Sequence, residues 1–212
     1  MVPRLPHHVT QRGNRRQKTF FSNEDYATYK RLMATWCRAR GVEVWAYCLM
    51  PNHVHLVVVP ESESALRAAI GEAHRRYSRA VNLREGWRGH LWQGRFASYP
   101  MDSGHLFHCA RYVEWNSVRA GLVSEPAHWP HSSARAHLRK QDDGLVKVAP
   151  LLARIEDWRA FLAARPSATL EGDLRAHEAT GRPLGDPLFV ERLEQQLGRR
   201  FRPRKPGPAP QS

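Results

Sequence analysis

Residues 42–60 read VEVWAYCLMPNHVHLVVVP, and this stretch decides the fold. From Val42 to Cys48 every second residue is small and apolar, an alternation that predicts a strand. The tripeptide Met50–Asn52 contains a proline and an asparagine, which are typical of a turn, and His53–Val59 is a second β-rich run. The simplest interpretation is a close β-hairpin.

The second strand of this hairpin carries two polar rings in an otherwise apolar run. His53 and His55 are two residues apart, so both imidazoles project from one face of the strand, while Val54 and Leu56 project from the other. Two ring nitrogens on one face can share a metal ion, although a structural histidine pair would give the same pattern. A hard divalent cation would need a further ligand.

Elements on both sides of the hairpin extend the pattern. In chain order they are a strand at His7–Arg12, a helix at Asn23–Arg40, a helix at Leu66–Val81, a strand at Leu91–Tyr99 and a helix at Ser103–Arg119. Strands and helices in this order predict an α+β fold, a ferredoxin-like βαββαβ antiparallel sheet with helices on one face. An added helix would follow the last strand.

Beyond about Leu138 the pattern changes to short helices at Leu151–Ala164, Leu170–Glu178 and Pro187–Leu197. We therefore divide the chain into a main domain, residues 1–138, and a helical C-terminal region, residues 139–212. The last two helices could form a small helix-turn-helix-like DNA binder or cap the main domain. The basic tail can remain partly disordered at Pro203–Ser212.

The composition favours a polyanionic partner. Lys and Arg number 33 against 20 Asp and Glu, which leaves a net charge of +13 with histidine neutral. Arginine dominates, and its planar fork suits bidentate contacts with phosphate, so nucleic acid is favoured over a membrane surface. The longest apolar stretch, around Leu56–Val59, is far shorter than the ~20 residues of a membrane span. We expect no membrane contact and a cytoplasmic location.

The helix predicted at Ser103–Arg119 carries a second polar stripe. Tyr112 and Asn116 lie one helical turn apart, so a helix docked on the open sheet face could bring a phenol and an amide to the histidine pair. Tyrosine can act as a nucleophile when a cation stabilises its charge. A tyrosine that only packs would show the same spacing.

Six motifs identify a resemblance to a known family. They read VTQRGN (9–14), WAYCLM (45–50), PNHVH (51–55), LWQGRF (91–96), YVEWNSVRAGLV (112–123) and GRPLG (181–185). Together and in this order they resemble the single-tyrosine HUH transposases, a family that includes the IS200-like transposases, and more closely the REP-associated tyrosine transposases of bacteria. The resemblance is strong over about the first 130 residues.

This resemblance implies a catalytic domain that cleaves single-stranded DNA beside short palindromic hairpins with the help of Mg²⁺ or Mn²⁺. It implies that His53 and His55 are metal ligands and that Tyr112 is the nucleophile, forming a covalent 5′-phosphotyrosine. Asn116 stands where the wider class places a third, amide-bearing ligand. The expected activity is DNA transposition by a metal-dependent nickase and strand transferase.

Charge and position suggest which residues contact DNA. The candidates are Arg12, Arg15, Arg16, Arg75, Arg79 and Arg95 for the phosphate backbone and Trp92 for base stacking. The expected partner is hairpin-forming single-stranded DNA, and the protein would be nucleoid-associated when bound. Monomer and homodimer remain open, as does an active site built within one chain or between two.

Two other functions use the same residues. A metal-dependent hydrolytic nuclease would employ the histidines with water as the nucleophile and would form no covalent adduct. A non-catalytic hairpin-binding protein would bind nucleic acid with a steep salt dependence but would not cut it.

Overall fold

The computed structural model of this chain describes residues 1–201, and its centre is a four-stranded antiparallel sheet. The strands are β1 (His7–Arg12), β2 (Val42–Met50), β3 (His53–Pro60) and β4 (Ala97–Pro100). Their order in the sheet is β2-β3-β1-β4. Every neighbouring pair is antiparallel, as a βαββαβ ferredoxin-like sheet requires, so the predicted fold class is confirmed.

Helices cover both faces of this sheet. They are α1 (Asn23–Ala39), α2 (Ala65–Glu85), α3 (Ser103–Glu114), α4 (Asn116–Arg119), α5 (Ala134–Arg139), α6 (Ala149–Leu152), α7 (Trp158–Ala163), α8 (Ala168–Thr180) and α9 (Pro187–Leu197). Helices α1 and α2 pack on one face, where Val54 and Leu56 join Tyr29 and Ile70 in a first core. On the opposite face α3 and the C-terminal helices build a second core around Val57.

A β-bulge lets strand β2 supply both cores. The alternation in the sequence implied that Val44 and Ala46 share a face. Instead the pairing with β3 shifts register between these two residues, so Val44 lies in the first core and Ala46 in the second. An extra residue in one strand of a pair moves all later side chains to the other face, which explains the difference.

Three predicted elements are shorter or divided in the structure. The helix predicted at Ser103–Arg119 is interrupted at Trp115, between α3 and α4. The strand predicted at Leu91–Tyr99 pairs regularly only in β4, because Gly94 takes a positive φ of 69° and turns the chain before the strand begins. The helix predicted at Leu151–Ala164 is divided into α6 and α7. Asp157 caps the second of these, since its side chain accepts a hydrogen bond from the backbone N–H of Ala160.

The C-terminal helices cap the main domain. Trp158, Leu174 and Leu184 are all buried in the second core, so residues on both sides of position 138 share it. Helix α9 packs through Phe189 against Val2 of the N-terminal arm. Of the two arrangements considered for these helices, the structure has the capping one. The predicted disorder at Pro203–Ser212 lies outside the described residues.

A buried carboxylate anchors the end of α3. Glu114 is fully buried and accepts hydrogen bonds from the Ser133 hydroxyl at 2.5 Å, His137 Nδ1 at 2.7 Å and the Trp158 indole at 2.9 Å. A buried carboxylate is tolerated only when its oxygens are paired in this way. The network therefore fixes the end of α3 against α5 and α7.

Within residues 1–201, no helix is both long enough and apolar enough to cross a bilayer.

The buried histidine of α2 makes stability depend on pH. His74 is hydrogen-bonded to the Tyr29 hydroxyl, and burial lowers its pKa from the ordinary 6.5 to about 3. Between these two values the unfolded chain binds a proton that the folded chain does not, so the free energy of unfolding falls as the pH falls. Between pH 7 and pH 5.5, the free energy of unfolding of the wild type should fall by about 1 kcal/mol more than that of His74→Gln.

Urea unfolding at the two pH values measures this difference. His90→Gln, at an exposed position, is the matched control and should lose as much stability as the wild type. An equal loss in His74→Gln and the wild type would contradict the assignment of this pH dependence to His74.

Candidate active site

The histidine pair and the tyrosine meet on the second face of the sheet. His53 and His55 point toward α3, and their ring centroids are 5.0 Å apart. The ring of Tyr112, on α3, meets His55 edge-on with the centroids 5.6 Å apart. Asn116 is buried one turn later and interacts with His53. One chain thus brings together all four residues that the sequence singled out.

Hydrogen bonds fix the proton of His53. The Asn52 amide nitrogen donates to the Arg16 carbonyl at 3.0 Å, which turns the Asn52 oxygen toward His53 Nδ1, 2.7 Å away. An amide oxygen can only accept, so Nδ1 carries the proton and Nε2 keeps its lone pair. Burial, together with the charge of Arg12, lowers the pKa of His53 to about 4. The ring is therefore neutral at pH 7, as a metal ligand must be.

His55 lies deeper and contacts residues that sequence reasoning missed. His8 of β1 stacks against it, with His8 Nε2 3.0 Å from His55 Nδ1. The Tyr99 hydroxyl lies 2.8 Å from His8 Nδ1 and 3.2 Å from the Leu174 carbonyl of α8. Burial is the main reason that the pKa of His55 is held well below its ordinary value. The contact follows from the pairing of β1 with β3, which places His8 diagonally across from His55.

Tyr112 is 2% exposed and sits beneath an arginine. Arg119 donates a hydrogen bond to the Tyr112 hydroxyl at 3.2 Å, and its guanidinium lies 4.3 Å from the ring centroid. Burial and the nearby Glu178 raise the pKa of Tyr112, whereas Arg119 lowers it. Arg119 therefore favours negative charge on the phenol oxygen, which is the charge that a nucleophile develops.

Helix α8 adds a carboxylate that the sequence motifs did not identify. Glu178 Oε1 is 3.7 Å from Nδ1 of both His8 and His55, and it is buried without a hydrogen-bond partner. Burial raises the pKa of Glu178 to about 7, while nearby arginines, including Arg12, oppose the shift. Because Glu178 is distant in sequence from every motif in the site, only the packing of α8 could reveal it.

An arginine-lined cleft of about 690 Å³ opens beside the histidines. Its basic side chains include Arg12, Arg16 and Arg95, three of the predicted DNA contacts, together with Arg175 of α8. Four guanidinium groups beside two imidazoles form a site that attracts phosphate.

The other predicted DNA contacts lie elsewhere. Arg75 and Arg79 are exposed on α2, which packs on the opposite face of the sheet, and Arg75 pairs with Glu72 at 2.7 Å. Arg15 is exposed next to Arg16 but does not line the cleft.

Trp92 has a different role from the base stacking that we predicted. It is 6% exposed and lies in the first core, where its ring stacks on His74. A short run of aromatic and basic residues in the sequence does not show whether its indole is exposed or buried. Its position in the structure leaves the ring unavailable for a base.

The donors at this site fit a hard divalent cation. His53 is neutral with its proton on Nδ1, and His55 is neutral beside it. The side chain of Asn116 interacts with His53, and its buried Nδ2 has no other hydrogen-bond partner. An amide side chain next to the histidines also offers an oxygen, which is the ligand atom that hard cations prefer. A second set, His8, His55 and Glu178, also has potential ligand atoms within 4.8 Å of one another.

Comparisons with known proteins point to one family. The family model described as "Transposase IS200 like" matches residues 1–116. Over 177 residues the chain is 24% identical to a REP-associated tyrosine transposase of Haemophilus influenzae, spanning 78% of this chain and 90% of that protein. Over 97 residues it is 24% identical to a REP-associated tyrosine transposase of Escherichia coli, spanning 45% of this chain and 56% of that protein.

A solved structure has the same fold. The structure of a REP-associated tyrosine transposase bound to a REP hairpin superposes with a TM-score of 0.57 at 21% sequence identity. The match covers 69% of this chain and 85% of the other. The α+β architecture is thus shared with a solved relative.

Proposed function

This chain belongs to the family of IS200-like transposases, and from that premise we propose that it cuts and rejoins single-stranded DNA beside REP-type hairpins through a covalent tyrosine intermediate. The observation that carries the proposal is the contact between the Tyr112 ring and His55, at 5.6 Å between centroids, next to the arginine-lined cleft. This contact joins a nucleophile to a cation site.

The chain's own residues supply binding and positioning. His53, His55 and Asn116 would hold Mg²⁺ or Mn²⁺, which when bound would polarise the scissile phosphate and stabilise its developing charge. The arginines of the cleft would hold the flanking phosphates. Arg119 would stabilise the phenol oxygen as it loses its proton.

The reaction balances as a phosphoryl transfer between two oxygens. The Tyr112 oxygen bonds to phosphorus, the bond from phosphorus to the 3′ oxygen breaks, and the phenol proton ends on that 3′ oxygen. The products are a 5′-phosphotyrosine and a free 3′-OH. The energy of the phosphodiester bond is kept in the covalent intermediate. The released 3′-OH, or the 3′-OH of another strand, can therefore attack the phosphotyrosine and rejoin DNA without ATP.

Access to the nucleophile is a requirement of this mechanism. The Tyr112 ring is 2% exposed and interacts with Arg175 and Glu178 of α8. Before attack, the phenol must therefore become accessible by a shift of its own side chain or of α8.

The partner follows from charge and from the relatives. The solved relative is bound to a REP hairpin, and this chain has a net charge of +13 and a cleft rich in arginine. Binding to such a hairpin should be strongly salt-dependent, since phosphate contacts release counterions. With such a DNA substrate, the protein would act in the bacterial cytoplasm, on the nucleoid.

A cleavage assay with purified protein tests the proposal. End-labelled single-stranded oligonucleotides with candidate hairpins are incubated with Mn²⁺ or with EDTA and run on a denaturing gel with and without protease. We expect a Mn²⁺-dependent labelled adduct that protease converts to a faster species, and no adduct in EDTA. Cleavage without an adduct would indicate a hydrolytic nuclease, and binding without cleavage would indicate a hairpin-binding protein; either result would overturn the proposal.

A further inference from the structure

We propose that His8 and Tyr99 are positioning residues that hold the proton of His55 on Nδ1 and thereby leave His55 Nε2 free to bind the cation. The inference rests on the proposed function, because it concerns a metal ligand of the same site. The carrying observation is a buried row of hydrogen bonds from His55 through His8 and Tyr99 to the Leu174 carbonyl.

The direction of the row is set at its far end. The Tyr99 hydroxyl has a single proton and two neighbours, the Leu174 carbonyl at 3.2 Å and His8 Nδ1 at 2.8 Å. A carbonyl oxygen can only accept, so the Tyr99 proton points to Leu174. His8 Nδ1 must then donate its own proton to the Tyr99 oxygen. The opposite direction would leave two acceptor oxygens facing each other.

The same reasoning fixes the position of the proton on His55. A neutral histidine with its proton on Nδ1 has only a lone pair on Nε2, so His8 Nε2 accepts. Its partner, His55 Nδ1, lies 3.0 Å away and must be the donor. Nε2 of His55 is then unprotonated. The arrangement matches His53, whose Nδ1 proton is fixed by Asn52, so both rings offer the same nitrogen.

The surroundings favour this direction. His8 and Tyr99 are almost completely buried, so water does not compete for their hydrogen bonds. Glu178 Oε1 is 3.7 Å from Nδ1 of both His8 and His55, and in its ionised form this oxygen favours protons on both atoms. For the same reason the alternative cation site among these three residues is disfavoured, since it would need lone pairs where the row places protons.

Without such an anchor, neutral histidine exchanges between two tautomers, and a proton on Nε2 blocks that atom as a ligand. Partners that fix a ligand's tautomer typically change metal affinity by about 10–100-fold. The row should therefore appear in two independent measurements, the tautomer of His55 in the metal-free protein and the affinity for Mn²⁺.

Long-range ¹⁵N–¹H NMR of histidine-labelled, metal-free protein reports the tautomer directly. In the wild type we expect His55 to carry its proton on Nδ1, and in Tyr99→Phe we expect a shift toward the Nε2-protonated form. A wild-type His55 protonated on Nε2 would overturn the proposal. This readout needs neither metal nor DNA, so it stays informative if the proposed function fails.

Calorimetric titration with Mn²⁺ gives the second readout. We expect His8→Leu and Tyr99→Phe to weaken binding by about 10-fold or more. His8→Gln should restore most of the affinity, because its side-chain oxygen can accept from His55 Nδ1. If Tyr99→Phe binds Mn²⁺ with an affinity within about twofold of the wild type, the proposal is overturned. If the wild-type protein itself does not bind Mn²⁺, the result counts against the proposed function instead.

Two matched controls separate positioning from packing. His7 is the neighbouring buried histidine on β1, on the opposite side of the strand, so His7→Leu repeats the substitution away from the site. Tyr29→Phe removes a buried hydroxyl that contacts another histidine, His74, at 2.8 Å. Both controls should bind Mn²⁺ as the wild type does. Equal weakening in the controls would show that the effect comes from packing and would overturn the proposal.

Discussion

Replacing Tyr112 with phenylalanine is expected to abolish the covalent protein–DNA adduct and to reduce cleavage by a factor on the order of 10³ or more. The substitution removes the oxygen that attacks phosphorus and leaves the ring and its packing on His55. The fold should survive, because the hydroxyl accepts a hydrogen bond from Arg119, and a hydrogen bond to a charged group contributes only about 2 kcal/mol. The adduct and cleaved strand are measured on the denaturing gel described above.

Tyr77→Phe is the matched control for this experiment. Its hydroxyl is buried in the first core and donates to the Thr19 carbonyl at 2.6 Å, far from the proposed chemistry. Tyr77→Phe should form the adduct at the wild-type level. Undiminished cleavage by Tyr112→Phe would remove Tyr112 from the role of nucleophile and favour water in its place.

A double substitution of His53 and His55 by alanine is expected to weaken Mn²⁺ binding by more than about 100-fold and to stop cleavage. Both rings contribute a neutral nitrogen to the site, and Asn116 alone is a poor ligand set for a divalent cation. Hairpin binding should persist, because Arg12, Arg16 and Arg95 remain in the cleft. Calorimetry measures the metal, and a gel-shift assay measures the DNA.

The control for this pair is His105→Ala. His105 lies on α3, like Tyr112, but hydrogen-bonds to Asp102 at the start of the helix and is absent from the cleft. It should bind Mn²⁺ and cut DNA as the wild type does. Retention of Mn²⁺ affinity in the double variant would move the cation to other ligands, with His8 and Glu178 the first to be examined.

The period of each element made much of the fold predictable. Alternation placed His53 and His55 together on one face, and helical spacing placed Tyr112 and Asn116 on one stripe, which are the arrangements found. Both patterns depend on neighbours in sequence. The order of strands and helices along the chain then indicated the ferredoxin-like sheet.

Contacts between distant segments escaped prediction for a common physical reason. Whether Trp92 is buried, or whether Glu178 reaches the histidines, depends on how helices and loops pack after the sheet has formed. The bulge in β2 is similar, because the alternation gives no sign of an extra residue between Val44 and Ala46. Local spacing thus located the reacting groups, while packing determined their surroundings.

The hydrogen bonds behind His55 end on a main-chain oxygen, that of Leu174. Every amino acid supplies that atom, so the side chain of residue 174 does not make this contact itself; its packing in the second core helps to hold α8 in place. A shortened or displaced helix would remove it without changing any motif. A change in the length of this helix would therefore alter the chemistry of the site while every motif stays the same. A search for sequence motifs would not detect such a change.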